Sequence, residues 1–108
     1  MTAIPFALIG AGVIGRVHAR NIAGRPDARL HWVVDTDAPR GNALAAAHGA
    51  RFSASVDEML ADPSVRVVVI GSSTDVHEAH LLACIRAGKA VLCEKPLADS
   101  LDGARKCL

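Results

Sequence analysis

A chain of 108 residues, 51% of them hydrophobic, is long enough for one ordinary core and excludes a disordered polypeptide. Its formal charge of +1 includes no dense basic run, which excludes an electrostatic footprint for nucleic acid. Aromatics make up only 3% (Phe6, Trp32 and Phe52), so packing must rest on Ala, Val, Leu and Ile, the usual filling of helices laid on a parallel sheet.

The opening "MTAIPFALIGAGVIGR" is apolar, but it has no basic start and three glycines interrupt it, so it is no secretory leader. Within it "FALIG" (6–10) reads as a strand, with Pro5 limiting its start. "VIGRVHARNIAG" (13–24) follows as a helix closed by Gly24. "RLHWVVD" (29–35) is rich in β-branched and aromatic residues and reads as a second strand. "PRGNALAAAHG" (39–49), with proline near its start and glycine at its end, is a helix. A short third strand, "ARFS" (50–53), leads to "SVDE" (55–58), a capping box that opens a helix ended by Pro63.

"VRVVVIG" (65–71) is a continuous apolar run of the kind buried on both faces. "TDVHEAHLLACIRAG" (74–88) is a long amphipathic helix, with Asp75 and Glu78 spaced as a second capping box. "KAVLCE" (89–94) is the fifth strand, and "DSLDGARKCL" (99–108) begins one more helix. Strand and helix alternate without a hairpin signal, which predicts an α/β, doubly wound parallel sheet of about five strands with helices on both faces. No run is long enough to span a membrane. Cys84, Cys93 and Cys107 are odd in number and lack CxxC spacing, so they read as reduced thiols. The expectation is a cytoplasmic chain with no membrane partner.

"LIGAGVIG" matches G-x-G-x-x-G through Gly10, Gly12 and Gly15, immediately after a strand and opening a helix. Gly10 permits the tight turn, Gly12 lets a pyrophosphate approach the backbone, and Gly15 lets helix and strand pack closely. The loop from Gly10 through Ala11, Gly12, Val13 and Ile14 to Gly15 would offer helix N-terminal amides to the phosphates. The glycine pattern alone also fits a bare βα turn. Asp35 strengthens it: it ends the second strand twenty residues after Gly15, beside Thr36, where an acid accepts from an adenosine ribose. Asp35 would repel a 2′-phosphate, so NAD is expected in preference to NADP. Arg40 stands close enough to weaken that preference, but reads first as a solvated helix residue.

In the doubly wound order the first and fourth strands are neighbours, and a crevice opens between their carboxyl ends. "GSSTDVH" (71–77) leaves the fourth strand there, so Ser72, Ser73, Thr74 and His77 are candidate cofactor contacts. Thr74 and Asp75 also read as plain helix caps. His77 and His80 are three apart, but no third ligand accompanies them and no metal site is expected. His18, His31 and His48 read as surface or packing residues. "CEKP" ends the fifth strand on the same edge. Pro96 holds Lys95 out of the α region, on a defined turn where a lysine could orient a substrate hydroxyl or relay a proton. A solvated Lys95 paired with Glu94 is the plainer alternative.

Together, "GAGVIGRVHA" (10–19), Asp35 and "SSTDVHEAHLLACIRAGKAVLCEKPL" (72–97) resemble the glucose–fructose oxidoreductase and inositol dehydrogenase family, nearest its inositol 2-dehydrogenase-like branch. The likeness extends over essentially the whole chain. It implies that residues 1–108 are an N-terminal NAD(P)-binding domain of Rossmann fold, with a C-terminal substrate and oligomer-forming domain absent from this sequence. It implies hydride transfer between a nicotinamide cofactor and a CH–OH group of a small polyol or sugar, in a homo-oligomer. Lys95 would be the catalytic residue, Glu94 and Pro96 would hold its site, and an aspartate and a histidine would come from the missing domain. On that reading the chain by itself is expected to be inactive. A non-catalytic NAD-binding sensor module shares every motif except a use for Lys95. A methyltransferase-like or flavin-binding relative fits the glycine loop alone.

Overall fold

Five short aliphatic runs become the strands of one sheet, and the segments between them become helices. The computed structural model describes residues 3–71 and 74–93, with the backbone alone at 74–78 and 93. In chain order the elements are β1 (Ile4–Ile9), α1 (Val13–Ala23), β2 (Ala28–Val34), α2 (Ala38–Ala47), β3 (Arg51–Ser53), α3 (Val56–Leu60), β4 (Val67–Ile70), α4 (Thr74–Arg86) and β5 (Ala90–Cys93). Every pairing is parallel and the strand order is β3-β2-β1-β4-β5. This is the doubly wound sheet expected from the alternation, with the reversal of direction between β1 and β4. The helix anticipated at 99–108 lies outside the described residues. Among those described, no helix is long and apolar enough to cross a membrane.

Pro5 does not limit the first strand, which already starts at Ile4. Its carbonyl accepts from the Arg66 amide at 3.1 Å, and the register with β4 begins only at Phe6. A proline is tolerated in this central strand because it precedes the paired stretch on that side.

The two faces carry separate cores. Ala7, Ile9, Val68 and Ile70 pack beneath Met59 of α3 and Leu81 and Cys84 of α4. Leu8, Leu30, Val33 and Val69 pack beneath Ala19 and Ile22 of α1 and Leu44 and Ala45 of α2. Burial pushes the Cys84 thiol up to about 11, so it behaves as a small apolar side chain.

β2 contains one residue more than its partner. Leu30 pairs with Phe6 and Trp32 with Ala7, which leaves His31 as a bulge. Because side chains alternate strictly along a strand, one inserted residue reverses the facing of everything after it. Leu30 therefore lies under α1 and α2, whereas Trp32 lies under α3. There the indole Nε1–H donates to Asp62 Oδ2 at 2.8 Å, and His31 Nε2 lies 3.1 Å from the same oxygen. Ser64 donates both its amide (2.9 Å) and its hydroxyl (2.8 Å) to Asp62 Oδ1. The Trp32 bond and then the two from Ser64 hold the Asp62 carboxyl well below the usual carboxylate range, against a smaller opposing effect of burial.

Helix starts follow the side chains available. Asp37 caps α2 by accepting from the Arg40 amide at 3.1 Å, and Ser55 caps α3 by accepting from the Glu58 amide at 3.2 Å. Each cap of this type contributes about 1 kcal/mol. Only half of the expected capping box at 55–58 forms, because the Ser55 amide donates instead to Ser53 Oγ at 2.9 Å. The box predicted from Asp75 and Glu78 rests on side chains outside the described residues.

Candidate dinucleotide site

The carboxyl ends of β1, β2 and β4 open onto a cleft of about 410 Å³ lined by Gly10, Gly12, Asp35, Thr36, Arg40 and Gly71, among others. The chain turns sharply out of β1 at Gly10, whose φ of 104° suits glycine and whose amide donates to Val34 O at 2.7 Å. A side chain on Gly15 would strike the Gly10 carbonyl, so the missing Cβ is what lets α1 lie against the turn. α1 then begins after Gly12 with neither the side-chain cap that α2 and α3 have nor the acidic first turn of α3. The positive end of this helix dipole faces the cleft without a carboxylate of its own beside it.

Asp35 follows β2 with its side chain only 3% exposed. Its Oδ2 accepts from the Ala11 amide at 2.7 Å, and its Oδ1 accepts from the Asp37 amide at 2.8 Å. Arg40 closes a fork over the same group, with Nη2 at 2.9 Å from Oδ2 and 3.1 Å from Oδ1, and Nε at 3.2 Å from Oδ2. Burial pushes this carboxyl up, but the Asp37 and Ala11 amides and then Arg40 together outweigh it, leaving a net shift below the ordinary value. Arg40 is therefore no freely solvated helix residue, as its position in α2 had suggested. It is 51% exposed, yet it is tied to the buried acid of the cleft. A Cβ on Gly12 would lie 3.7 Å from Arg40 Nη1, so the guanidinium also approaches the glycine loop.

The residues singled out from sequence divide into three groups. Gly10, Gly12, Asp35 and Thr36 line the cleft. Ala11 and Gly15 are buried behind it, the first with its amide committed to Asp35, whereas Val13 and Ile14 are exposed on the first turn of α1. Thr74 and His77 lie in α4, but their side chains are outside the described residues, as are Ser72, Ser73, Glu94, Lys95 and Pro96. Cys93 pairs with Ile70, so β5 ends level with β4, next to Gly71 of the cleft wall.

Sequence reading missed several members of the wall. Ala54 and Val56 close one side from the β3–α3 turn, and His80 reaches it from α4. The turn after β3 also lies at the carboxyl edge of the sheet, which was the available signal. Gly41 was a second omission: a side chain there would strike the Phe52 ring and lie 3.2 Å from Asp35 Cβ. A glycine inside a helical pattern was its signal, since such a position usually serves close packing. Among the described residues, no group of three or more His, Cys, Asp or Glu could hold a metal ion.

A larger groove of about 560 Å³ lies on the α1 face between Ile4, Phe6, Ile22, Val69 and Leu92. It contains neither the glycine loop nor Asp35, so size does not make it the dinucleotide site. The smaller cleft fits such a cofactor: a glycine turn open to close approach, an uncapped helix start and a buried carboxylate converge on it.

Comparison with known proteins gives the same reading. The family described as "Oxidoreductase family, NAD-binding Rossmann fold" matches residues 4–108. The inositol 2-dehydrogenase of Rhizobium meliloti (strain 1021) is 39% identical over 105 residues, covering 97% of this chain and 32% of the relative. The 1,5-anhydro-D-fructose reductase of Ensifer adhaerens is 39% identical over 102 residues, covering 94% of this chain and 31% of the relative. Among solved structures, GenD2 from gentamicin A biosynthesis in complex with NAD superimposes with a TM-score of 0.94 at 40% identity, over 99% of this chain and 31% of that one. The chain thus spans about a third of the length of the relatives it matches.

Proposed function

Because the chain belongs to the oxidoreductase family with an NAD-binding Rossmann fold, we propose that residues 1–108 are the cofactor-holding domain of a dehydrogenase acting on a polyol or sugar. The observation that carries this reading is the meeting of Asp35 with the glycine loop, where the Ala11 amide donates to its carboxylate at 2.7 Å. That bond brings the acid and the helix start to one cleft, the arrangement an adenosine diphosphate moiety needs. NAD, when bound, accepts or returns the hydride.

The chain's own residues bind and orient. The first-turn amides at Val13, Ile14 and Gly15 would hold the pyrophosphate, and Asp35 with Thr36 would hold the adenosine ribose. Ser72, Ser73, Thr74 and His77 would flank the nicotinamide half along the β4 edge. Lys95, set between Glu94 and Pro96 just beyond β5, would hold the substrate hydroxyl and take or return its proton at Nζ. Its acid–base partners, the substrate pocket and a homo-oligomer interface belong to the whole enzyme this reading implies, as does a cytoplasmic location. Similarity to enzymes named inositol 2-dehydrogenase supports a polyol as the substrate class.

Titration calorimetry of the chain with NAD tests the reading. We expect saturable binding that weakens about tenfold or more in Asp35→Ala, because the ribose loses a charged acceptor. Unchanged affinity in the variant would overturn the assignment of Asp35, and no binding by the native chain would overturn the assignment of the cleft.

A further inference from the structure

The larger groove is open for a reason that lies in the fold. α4 covers β5 from one side. Val91 packs against the core beneath α3 and α4, whereas Leu92, which points to the other face, is 57% exposed. α1 forms the opposite wall of the groove. Ile14, His18 and Asn21 stand at i, i+4 and i+7, one stripe along the groove side of that helix, and Val17 tops the crest beside them. Ile14 and Val17 are exposed, as is Ile4 at the amino end of the floor. An apolar ridge therefore runs beside an apolar groove on one face. Leu82 and Ile85 are exposed as well, but on α4, across the sheet.

The charge at the rim is balanced. Just past the end of α1, Arg25 donates to Asp27 through Nε (3.1 Å to Oδ1) and Nη2 (3.1 Å to Oδ2), and both side chains are exposed. A face with one sign of charge would repel its own copy, whereas this rim carries one of each sign, side by side.

We propose that this face is where two copies of the chain associate, about a two-fold axis parallel to α1. Such an axis lays the α1 ridge of each copy in the groove of the other, the self-complementarity that an isologous contact requires. It also keeps residues at equal levels along the helix. Arg25 of one copy then meets Asp27 of the other, so the two pairs exchange partners instead of setting like charges together. Leu92 and Val17 are covered in the same step, and removing contiguous apolar surface from water drives the association. A second copy fits better than an unrelated helix, because the ridge that fills the groove and the charges that match its rim are already on this face. The contact draws nothing from the assignment of the cleft.

Sedimentation velocity over a range of chain concentrations tests this. We expect a reversible monomer–dimer equilibrium. Leu92→Glu in the floor and Val17→Glu on the ridge should each weaken it about tenfold or more, since each would bury a carboxylate without a partner. Leu82→Glu, on the α4 face, should leave it unchanged, and circular dichroism should show all three variants folded. Arg25→Asp should weaken the dimer about tenfold by opposing like charges, and adding Asp27→Arg should restore it. That recovery separates an exchanged pair from unspecific apolar adhesion. A chain that stays monomeric at every concentration would overturn the proposal. So would association that Leu82→Glu abolishes and Leu92→Glu leaves intact, or a double exchange no better than Arg25→Asp alone.

Discussion

Asp35 and Asp62 hold similar sets of donors but differ in what those donors can do. Asp62, with its side chain 17% exposed, is served by Trp32 and by both donors of Ser64, and His31 lies against it. The Trp32 indole is buried in the core and the Ser64 amide is backbone, so no ligand could replace these donors without dismantling the fold. Asp35 is more deeply buried, at 3%, and burial works against its charge. Yet its largest single supplier of donors is a half-exposed arginine that can move into water. Burial alone does not separate a structural carboxylate from a ligand-facing one; the mobility of its partners does. Both acids depend on one feature. The extra residue His31 turns Trp32 toward Asp62 and, by the same reversal, turns Asp35 toward α1 and α2.

Deleting Val33, a ladder residue beyond the bulge, breaks the comparison at its root, and it should have the largest effect of any change considered. Alternation after it loses one step, so either Trp32 keeps its place and Asp35 points away from the glycine loop, or His31 is drawn into the ladder and Trp32 is driven under α1. We expect thermal melts followed by circular dichroism to lose their cooperative transition. A native-like melt with NAD affinity retained would show that β2 absorbs the deletion elsewhere and that its alternation does not aim Asp35.

Asp62→Ala should be next in size. It leaves the buried indole N–H of Trp32 without its acceptor and removes the anchor of the Ser64 turn. We expect a loss of roughly 3 kcal/mol in urea unfolding. The sign of the acid dependence follows from the depressed carboxyl. Its folded value lies below its unfolded one, so its stabilisation is complete above about pH 4 and is lost as pH falls below that. Asp62→Asn should accordingly flatten the acid limb of the stability profile. An unchanged acid limb in that variant would mean that other carboxylates carry the dependence.

The order of elements was legible in the sequence because each rests on local signals: the glycine turn at Gly10–Gly15, the cap at Ser55, the apolar run at Val67–Ile70. What was not legible depends on partners distant in sequence. Pro5 reads as a strand limit until the register with β4 is known, since only that register shows no ladder bond is lost. The His31 bulge is invisible in "RLHWVVD", because an extra residue exists only relative to the strand beside it. The Asp35 position was predictable from its spacing to the glycines, but its engagement by Arg40 was not. An arginine five residues on, in the first turn of a helix, is by pattern a solvated residue, and the fork forms only because Gly41 lets α2 lie close to Asp35.

The smallest expected effect bears most directly on the contrast between the two acids. Arg40→Gln removes a fork from a buried carboxylate, which by burial alone would suggest a cost as large as that at Asp62. The Ala11 and Asp37 amides remain, however, and the guanidinium is 51% exposed, so water and salt already screen its attraction. We therefore expect urea unfolding to change by no more than about 1 kcal/mol, with the difference shrinking as salt is added. A loss comparable to that of Asp62→Ala would place Arg40 among the fixed donors. Asp35 would then be a second structural carboxylate, with no acceptor to spare for a ribose.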